Sequence, residues 1–346
     1  MTDGRQGWML RLQQLQRTRL WLLRQLLTEQ RDRGRSGRFA PVGTPTNPPV
    51  DAEYVEGVRA AVRELVALDG RRGGVGTSRQ AVRWFRSVRR MVPGSAGDRD
   101  FAAAAAELGE VTGWLLYDAD RQVSARRVNR EALELSRLAG DRSMELFVLT
   151  NMSMQSLYVH RPREALGIAD TALACYRLPP RVASLFRLRR ARALAVLGDR
   201  DGALATMARV RADFTDGVST RDPFWTWWVD DCELVWHKGM VHANLGDWAP
   251  AIDEFSRSLE LGEHTDTRRG RYARLACLLA ALVHVRDWSR AEPVALELLP
   301  MAREVGSGRA TRLLRRTSAR ATSAPATVHD IFAELERGAG EPRRAP

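Results

Sequence analysis

The chain has 346 residues, 44% of them hydrophobic, which excludes global disorder and supplies enough apolar mass for one large repeat array or two ordinary domains. Its formal charge is +12, but every basic residue except Lys238 is arginine, a bias that a GC-rich genome produces by itself, so charge alone assigns no nucleic-acid partner. Cys175, Cys232 and Cys277 are odd in number, widely spaced and free of any CxxC pair, as expected of reduced thiols in a cytoplasmic protein.

In chain order, residues 8–31 read as a basic amphipathic helix, with leucines such as Leu12, Leu15, Leu22 and Leu26 opposed by Arg11, Arg17, Arg19 and Arg24. Residues 1–100 hold 19 arginines against 10 acids, so this end is the more basic one. The run Leu20–Leu23 stops at Arg24 and is far too short to span a bilayer, and no secretion signal is present. Residues 32–50 are rich in Gly and Pro and read as a linker. Asp51 is a fitting N-cap for a helix with Tyr54, Val58, Ala61 and Leu65 on one face. A loop is expected over Gly70–Gly76, then a short helix carrying Val82, Phe85, Val88 and Met91, then a break over Pro93–Gly97.

From Phe101 to about Met301 a seven-residue turn recurs five times: Ala119–Ala125, Val159–Ala165, Leu197–Ala203, Leu245–Ala251 and Val285–Ala291. Each copy is polar and ends on alanine. Twelve residues before that alanine stands a small residue in four copies, Gly113, Ser153, Ala191 and Gly239, and Leu279 in the fifth. The alanines are 40, 38, 48 and 40 residues apart, somewhat longer than the ~34 of a tetratricopeptide repeat. The fourth unit matches that repeat best, with Gly239 and Ala251 letting paired helices approach and Phe255 and Leu259 filling the groove to the next pair. No period-two pattern appears. The expected fold is all-α: a tetratricopeptide-like right-handed α-solenoid of about five helix pairs with lead-in helices. The expected division is a basic helix and linker (1–50), the repeat domain (51–306), and basic C-terminal helices with a disordered tail (307–346).

Chemistry-bearing motifs are scarce. Gly70–Ser78 is glycine-rich but lacks the lysine and the preceding strand of a phosphate-binding loop. The six histidines form no HExxH or Cys/His cluster, and no serine occupies a GxSxG elbow, so no metal, no cofactor and no catalytic residue is expected. Phe224–Glu233 places three tryptophans within four residues, followed by three acids, and is expected to open the first helix of the fourth unit. Two of those tryptophans suit the inter-repeat core, while the acids suit a helix N-terminus; the alternative is an aromatic, acidic pocket for a cationic ligand. First helices line the concave face of such arrays. The repeat register places Trp114, Tyr117, Asn151, Tyr158, Arg189, Arg192, Trp236 and Asn244 there, where asparagine and arginine can clamp a peptide backbone or carboxylate.

The stretch Leu108–Asp141, with Thr112-Gly113-Trp114, Tyr117-Asp118, Ala132–Leu135 and Ala139-Gly140-Asp141, resembles the first repeat of the sensor region in helix-turn-helix regulators of the xenobiotic-response-element type. Met152-Ser153, Arg161–Leu166, Asp222–Asp230 and Leu65–Gly74 continue the resemblance over roughly residues 50–320. In that family a DNA-binding domain of several helices precedes the array. Fewer than 50 residues precede Val50 here and no helix-turn-helix is readable, so the resemblance implies the sensor role without the DNA-binding one. The expectation is a cytoplasmic regulatory protein, open to homodimer formation, that binds a peptide, a small effector or a protein partner in its concave groove. The alternative is a DNA-binding regulator acting through a partner or through its basic termini, the second of which carries Arg309, Arg312, Arg315, Arg316 and Arg320.

Overall fold

The computed structural model describes residues 51–92, 98–214, 219–263 and 266–340. The helix expected over 8–31, the linker, and the Pro93–Gly97 break lie outside them. The described residues are largely α-helical, with a 3₁₀ turn over Phe224–Trp228 and no strand, and none of the helices is long and apolar enough to cross a membrane.

Two lead-in helices, α1 (Ala52–Arg72) and α2 (Gly74–Met91), precede five antiparallel pairs. The pairs are α3 (Arg99–Asp118) with α4 (Gln122–Ala139), α5 (Arg142–Tyr158) with α6 (Pro162–Cys175), α7 (Pro180–Leu197) with α8 (Arg200–Phe214), α9 (Asp231–Leu245) with α10 (Trp248–Leu261), and α11 (Arg268–Val285) with α12 (Trp288–Glu304). Two further helices follow, α13 (Gly308–Ser318) and α14 (Ala326–Gly340). Asp51, Asp98, Asp141 and Asp230 each cap the helix that follows by accepting a backbone N–H three residues on.

The recurrent turn has one backbone solution in all five copies. Its second residue is left-handed: Asp120 (φ 61°), His160 (60°), Gly198 (85°), Gly246 (83°) and Arg286 (60°). The third residue's N–H then reaches back to the carbonyl five residues earlier, Arg121 to Leu116, Arg161 to Ser156, Asp199 to Leu194, Asp247 to His242 and Asp287 to Leu282. This pairing satisfies the carbonyls left free at a helix end and reverses the chain in a few residues. The terminal alanines, Ala125, Ala165, Ala203, Ala251 and Ala291, are fully buried in the seam between paired helices.

The small residues twelve positions earlier do the expected job with different partners. A Cβ at Gly113 would collide with the Asn129 side chain, and one at Gly239 would lie 2.7 Å from the Phe255 ring. Phe255 therefore fills the seam within its own pair, as well as joining the core shared with the fifth pair, instead of only filling the groove between pairs. The seam is close because one helix offers no side chain where the other offers a ring.

Two expectations are corrected by the fold. The Gly70–Gly76 loop contracts to the single residue Gly73 (φ 71°), because α1 continues to Arg72 and α2 begins at Gly74. The tryptophan cluster does not open α9. Phe224–Trp228 is a 3₁₀ turn before it, in which Trp225 is buried, stacks on Phe147 of α5 at 4.3 Å and donates to Ser143 Oγ, while Phe224 and Trp227 point outward. Pro223 and the cap at Asp230 delimit the turn.

Helices α13 and α14 share the core of the fifth pair, contributing Ala310, Leu314, Val328, Phe332 and Leu335 to one cluster with Tyr272, Leu279 and Leu298. The array also curls until its ends meet. Gly306 N–H donates to the Arg72 carbonyl, and Val75 N–H donates to the Gly306 carbonyl. Asp118, fully buried, accepts from Gly74 N–H (2.9 Å), Ser307 Oγ (2.8 Å) and Arg309 (3.3 Å). A Cβ at Gly308 would lie 2.6 Å from the Ala119 carbonyl oxygen, so this contact needs glycine.

Candidate functional site

Because the ends meet, the first helices of all five pairs, together with α1 and α13, face a common inner wall. Six of the eight expected residues converge there. Trp114 and Tyr117 on α3 have ring centroids 5.7 Å apart, and Tyr117 meets Tyr158 of α5 edge-on at 5.5 Å. Arg189 and Arg192 come from α7, and Trp236 comes from α9, 6.0 Å from the Arg192 guanidinium. Trp114, Tyr158, Arg192 and Trp236 are partly exposed, so solvent reaches this wall.

The other two lie on the same helices, Asn151 on α5 and Asn244 on α9. Asn151 is 5% exposed and donates to Glu110 Oε1 at 2.7 Å, which occupies its amide inside the seam between α3 and α5. A buried amide finds an acceptor because leaving it unpaired is costly, and here that acceptor lies in the protein. Asn244 sits two turns beyond Trp236 on α9, and its amide nitrogen has no partner among the described residues.

Several residues of the wall were not anticipated. Arg309 lies 4.1 Å from the Tyr117 ring centroid and 5.7 Å from that of Trp114, bonded to Asp118 and to the Tyr117 hydroxyl. Its pKa is raised: burial opposes its charge, but Tyr117 and Asp118 outweigh it. Next to it, Asp69 of α1 accepts from Trp114 Nε1 (2.9 Å) and Arg269 Nε (2.8 Å). Arg312 bonds Asp120, which also accepts from the Tyr158 hydroxyl. Of the five arginines of the basic C-terminal run, two are thus engaged with acids of α3 and its turn, while Arg315, Arg316 and Arg320 remain exposed.

On the α9–α11 side, Arg274 bridges Glu233 (3.1 Å) and Asp266 (2.5 Å). His237, fully buried, has Nε2 3.0 Å from Arg189 Nη1 and 3.3 Å from Glu233 Oε1. Burial, reinforced by Arg189 and Arg192, holds the His237 imidazole down at about 4 despite the Glu233 carboxylate. Burial pushes the Glu233 carboxyl up, but the His237 bond and the Arg274 and Arg189 charges bring it down to about 2. At neutral pH we take His237 as neutral, since two guanidiniums face it. Burial and the neighbouring Arg192 lower Arg189 to about 10, and burial lowers Arg192 too. Glu110 is raised to about 8 by burial, against the Asn151 bond. Two shallow depressions of about 380 Å³ each lie elsewhere, one beside Tyr176 and one beside Pro300, and neither includes Arg189, Arg192 or Trp236. The cluster of converging side chains is the better site because it joins aromatic faces, unmatched cations and solvent access. Among the described residues no three His, Cys, Asp or Glu side chains form a metal-holding group.

Part of this was legible in sequence. Glu233 and His237 are four apart on the face of α9 that carries Trp236, and Arg274 and Cys277 flank the matching face of α11. Helical spacing finds such neighbours. Nothing local marks Arg309, which reaches Tyr117 across 192 positions through closure of the array.

No family model matches the sequence, and no curated protein is similar to it. Among solved structures, the chain is similar to the crystal structure of Rap protein complexed with competence and sporulation factor, at a TM-score of 0.57 and 12% identity, over 85% of this chain and 87% of that one. That likeness establishes the fold, a tetratricopeptide-like α-solenoid.

Proposed function

We propose that this chain is a cytoplasmic regulatory protein, not an enzyme, that binds a peptide or the extended segment of a protein partner against its inner wall. The observation that carries this reading is the convergence of Trp114, Tyr117, Tyr158, Arg189, Arg192 and Trp236 from four successive first helices on one solvent-reached surface. Aromatic faces and guanidiniums offer apolar contact and backbone- or carboxylate-directed hydrogen bonds, which an extended chain uses repeatedly along its length. Two supports are independent of that geometry. The structurally similar Rap protein is complexed with competence and sporulation factor, and the sequence resembles the sensor region of xenobiotic-response-element-type regulators. The resemblance points to a regulatory output in which ligand favours one curvature of the array over another.

Retention of a randomised hexapeptide mixture on immobilised protein tests this, with the retained peptides identified by mass spectrometry. We expect a restricted set of sequences to be retained by the wild type, lost in Trp236→Ala, and kept in Trp227→Ala, whose side chain is exposed away from the wall. Equal retention by all three proteins refutes the assignment of the site. DNA binding through the C-terminal run is less well supported, since Arg309 and Arg312 are held by Asp118 and Asp120.

A further inference from the structure

The inner wall has an unbalanced charge, and the imbalance is local. Arg269 is matched by Asp69, Arg274 by Glu233 and Asp266, and Arg309 by Asp118. Arg189 and Arg192 have no direct ion-pair partner: the Glu233 charge acts on both, but among the described residues no carboxylate oxygen lies within 4.0 Å of either guanidinium, and the Nε of each is buried without a hydrogen-bond partner. Arg189 is 3% exposed. Its side-chain partner among the described residues is the His237 imidazole. Arg192 lies 6.0 Å from the Trp236 ring and is partly exposed. A buried guanidinium without an anion is costly, because its five donors lose water and gain little.

His237 makes the deficit sharper. If Nε2 accepts from Arg189 it cannot also donate to Glu233, and if it donates to Glu233 it presents N–H to a guanidinium. In either tautomer Nδ1 has no partner among the described residues. One of the two neighbours is left short in the protein as it stands, and an external acceptor on Arg189 would resolve the conflict by freeing His237 to donate to Glu233.

We infer that Arg189 and Arg192 form an anion subsite that takes one carboxylate or phosphate group of the ligand, with the Trp236 ring as its wall. This deepens the reading of the inner wall as a ligand site and rests on it. Two guanidiniums one helical turn apart can fork onto the oxygens of a single carboxylate or phosphate. Solvent access at Arg192 supplies the entrance, and the buried Arg189 supplies the deeper contact.

Thermal denaturation in a series of inorganic phosphate, against sodium chloride at matched ionic strength, tests the subsite. Retention of two hexapeptide mixtures, identical except for a free C-terminal carboxylate or a C-terminal amide, tests the source of the anion. The expected result is a saturable phosphate-dependent rise in Tm of the wild type that is weakened on the order of tenfold in apparent affinity by Arg192→Gln. Arg192→Lys should keep part of it, and Arg315→Gln, at an exposed arginine outside the wall, should keep all of it. Circular dichroism of each variant reports folding separately, and if Arg192→Gln does not fold, the Lys variant carries the comparison. Retention of the carboxylate mixture with loss of the amide mixture identifies a peptide carboxylate as the occupant. If phosphate acts on the wild type no differently from chloride, and carboxylate and amide mixtures are retained alike, the subsite is wrong while the peptide reading stands. If phosphate binds through Arg192 but neither mixture is retained, the subsite stands and the peptide reading falls.

Discussion

Replacing Asp118 by alanine should open the contact that closes the array. The carboxylate is fully buried and holds three donors from three places: the first amide of α2 (Gly74), the cap of α13 (Ser307), and Arg309. Removing it strands a largely buried guanidinium, which costs about 3–5 kcal/mol when one partner of a buried pair is lost. The Gly74 amide and the Ser307 hydroxyl lie within that loss, at about 1–3 kcal/mol each when a buried donor is left unpaired. Amide hydrogen exchange is the assay, because a repeat array need not unfold in one step. Gly74 N–H stands at a helix N-terminus, where no carbonyl of its own helix can protect it, so its protection reports the Asp118 contact directly. In Asp118→Ala this amide and that of Gly306, which donates to Arg72, should exchange at near-unprotected rates, while amides deep in α5 and α7 keep theirs. If Gly74 stays protected and global stability changes by less than ~0.5 kcal/mol, as for an ordinary surface substitution, the ends are not held together by this carboxylate.

Other outcomes follow from the same geometry. Gly239→Ala pushes a methyl to 2.7 Å from the Phe255 ring and should cost about 1–3 kcal/mol in urea unfolding, with Phe255→Leu in the same chain recovering part of it. Arg286→Gly removes a side chain from a left-handed position and should raise stability by up to about 1 kcal/mol, whereas Gly198→Ala should lower it by a similar amount. Glu110, raised from 4.5 to about 8, binds its proton more tightly folded than unfolded. Its contribution is therefore complete below about pH 4.5 and is lost as pH climbs through 8, a loss of a few kcal/mol that Glu110→Gln should abolish in stability–pH profiles. His237 runs the other way: lowered from 6.5 to about 4, it makes the protein lose stability as pH falls from 6.5 to 4, and His237→Gln should flatten that acid limb.

The repeated turn shows how far local information reaches. Five copies of one heptad, each ending in alanine, specify five left-handed helix ends and five close seams, and the helix pairs follow from them because capping, turn geometry and small-residue contact act within a dozen residues. The inner-wall positions Trp114, Tyr117, Tyr158, Arg189, Arg192 and Trp236 were readable for the same reason, since a helix face is fixed by spacing. Asn151 shows the limit: its face was evident, but whether its amide met ligand or protein depended on Glu110, 41 positions away. The Phe224–Trp228 turn shows another, because proline and the Asp230 cap shifted the helix start by a few residues and sent Trp225 into the core beside Phe147.

Sequence alone thus determined the helices, their pairing and the repeat class. Only the tertiary structure decided that the array bends far enough for Arg309 and Ser307 to reach Asp118. It also decided that this closure supplies carboxylate partners to some arginines of the wall and leaves Arg189 and Arg192 without a directly paired carboxylate among the described residues. The physical reason is that curvature accumulates over five pairs from small packing differences at each interface, so where the last helix arrives is a property of the whole stack and of no single segment.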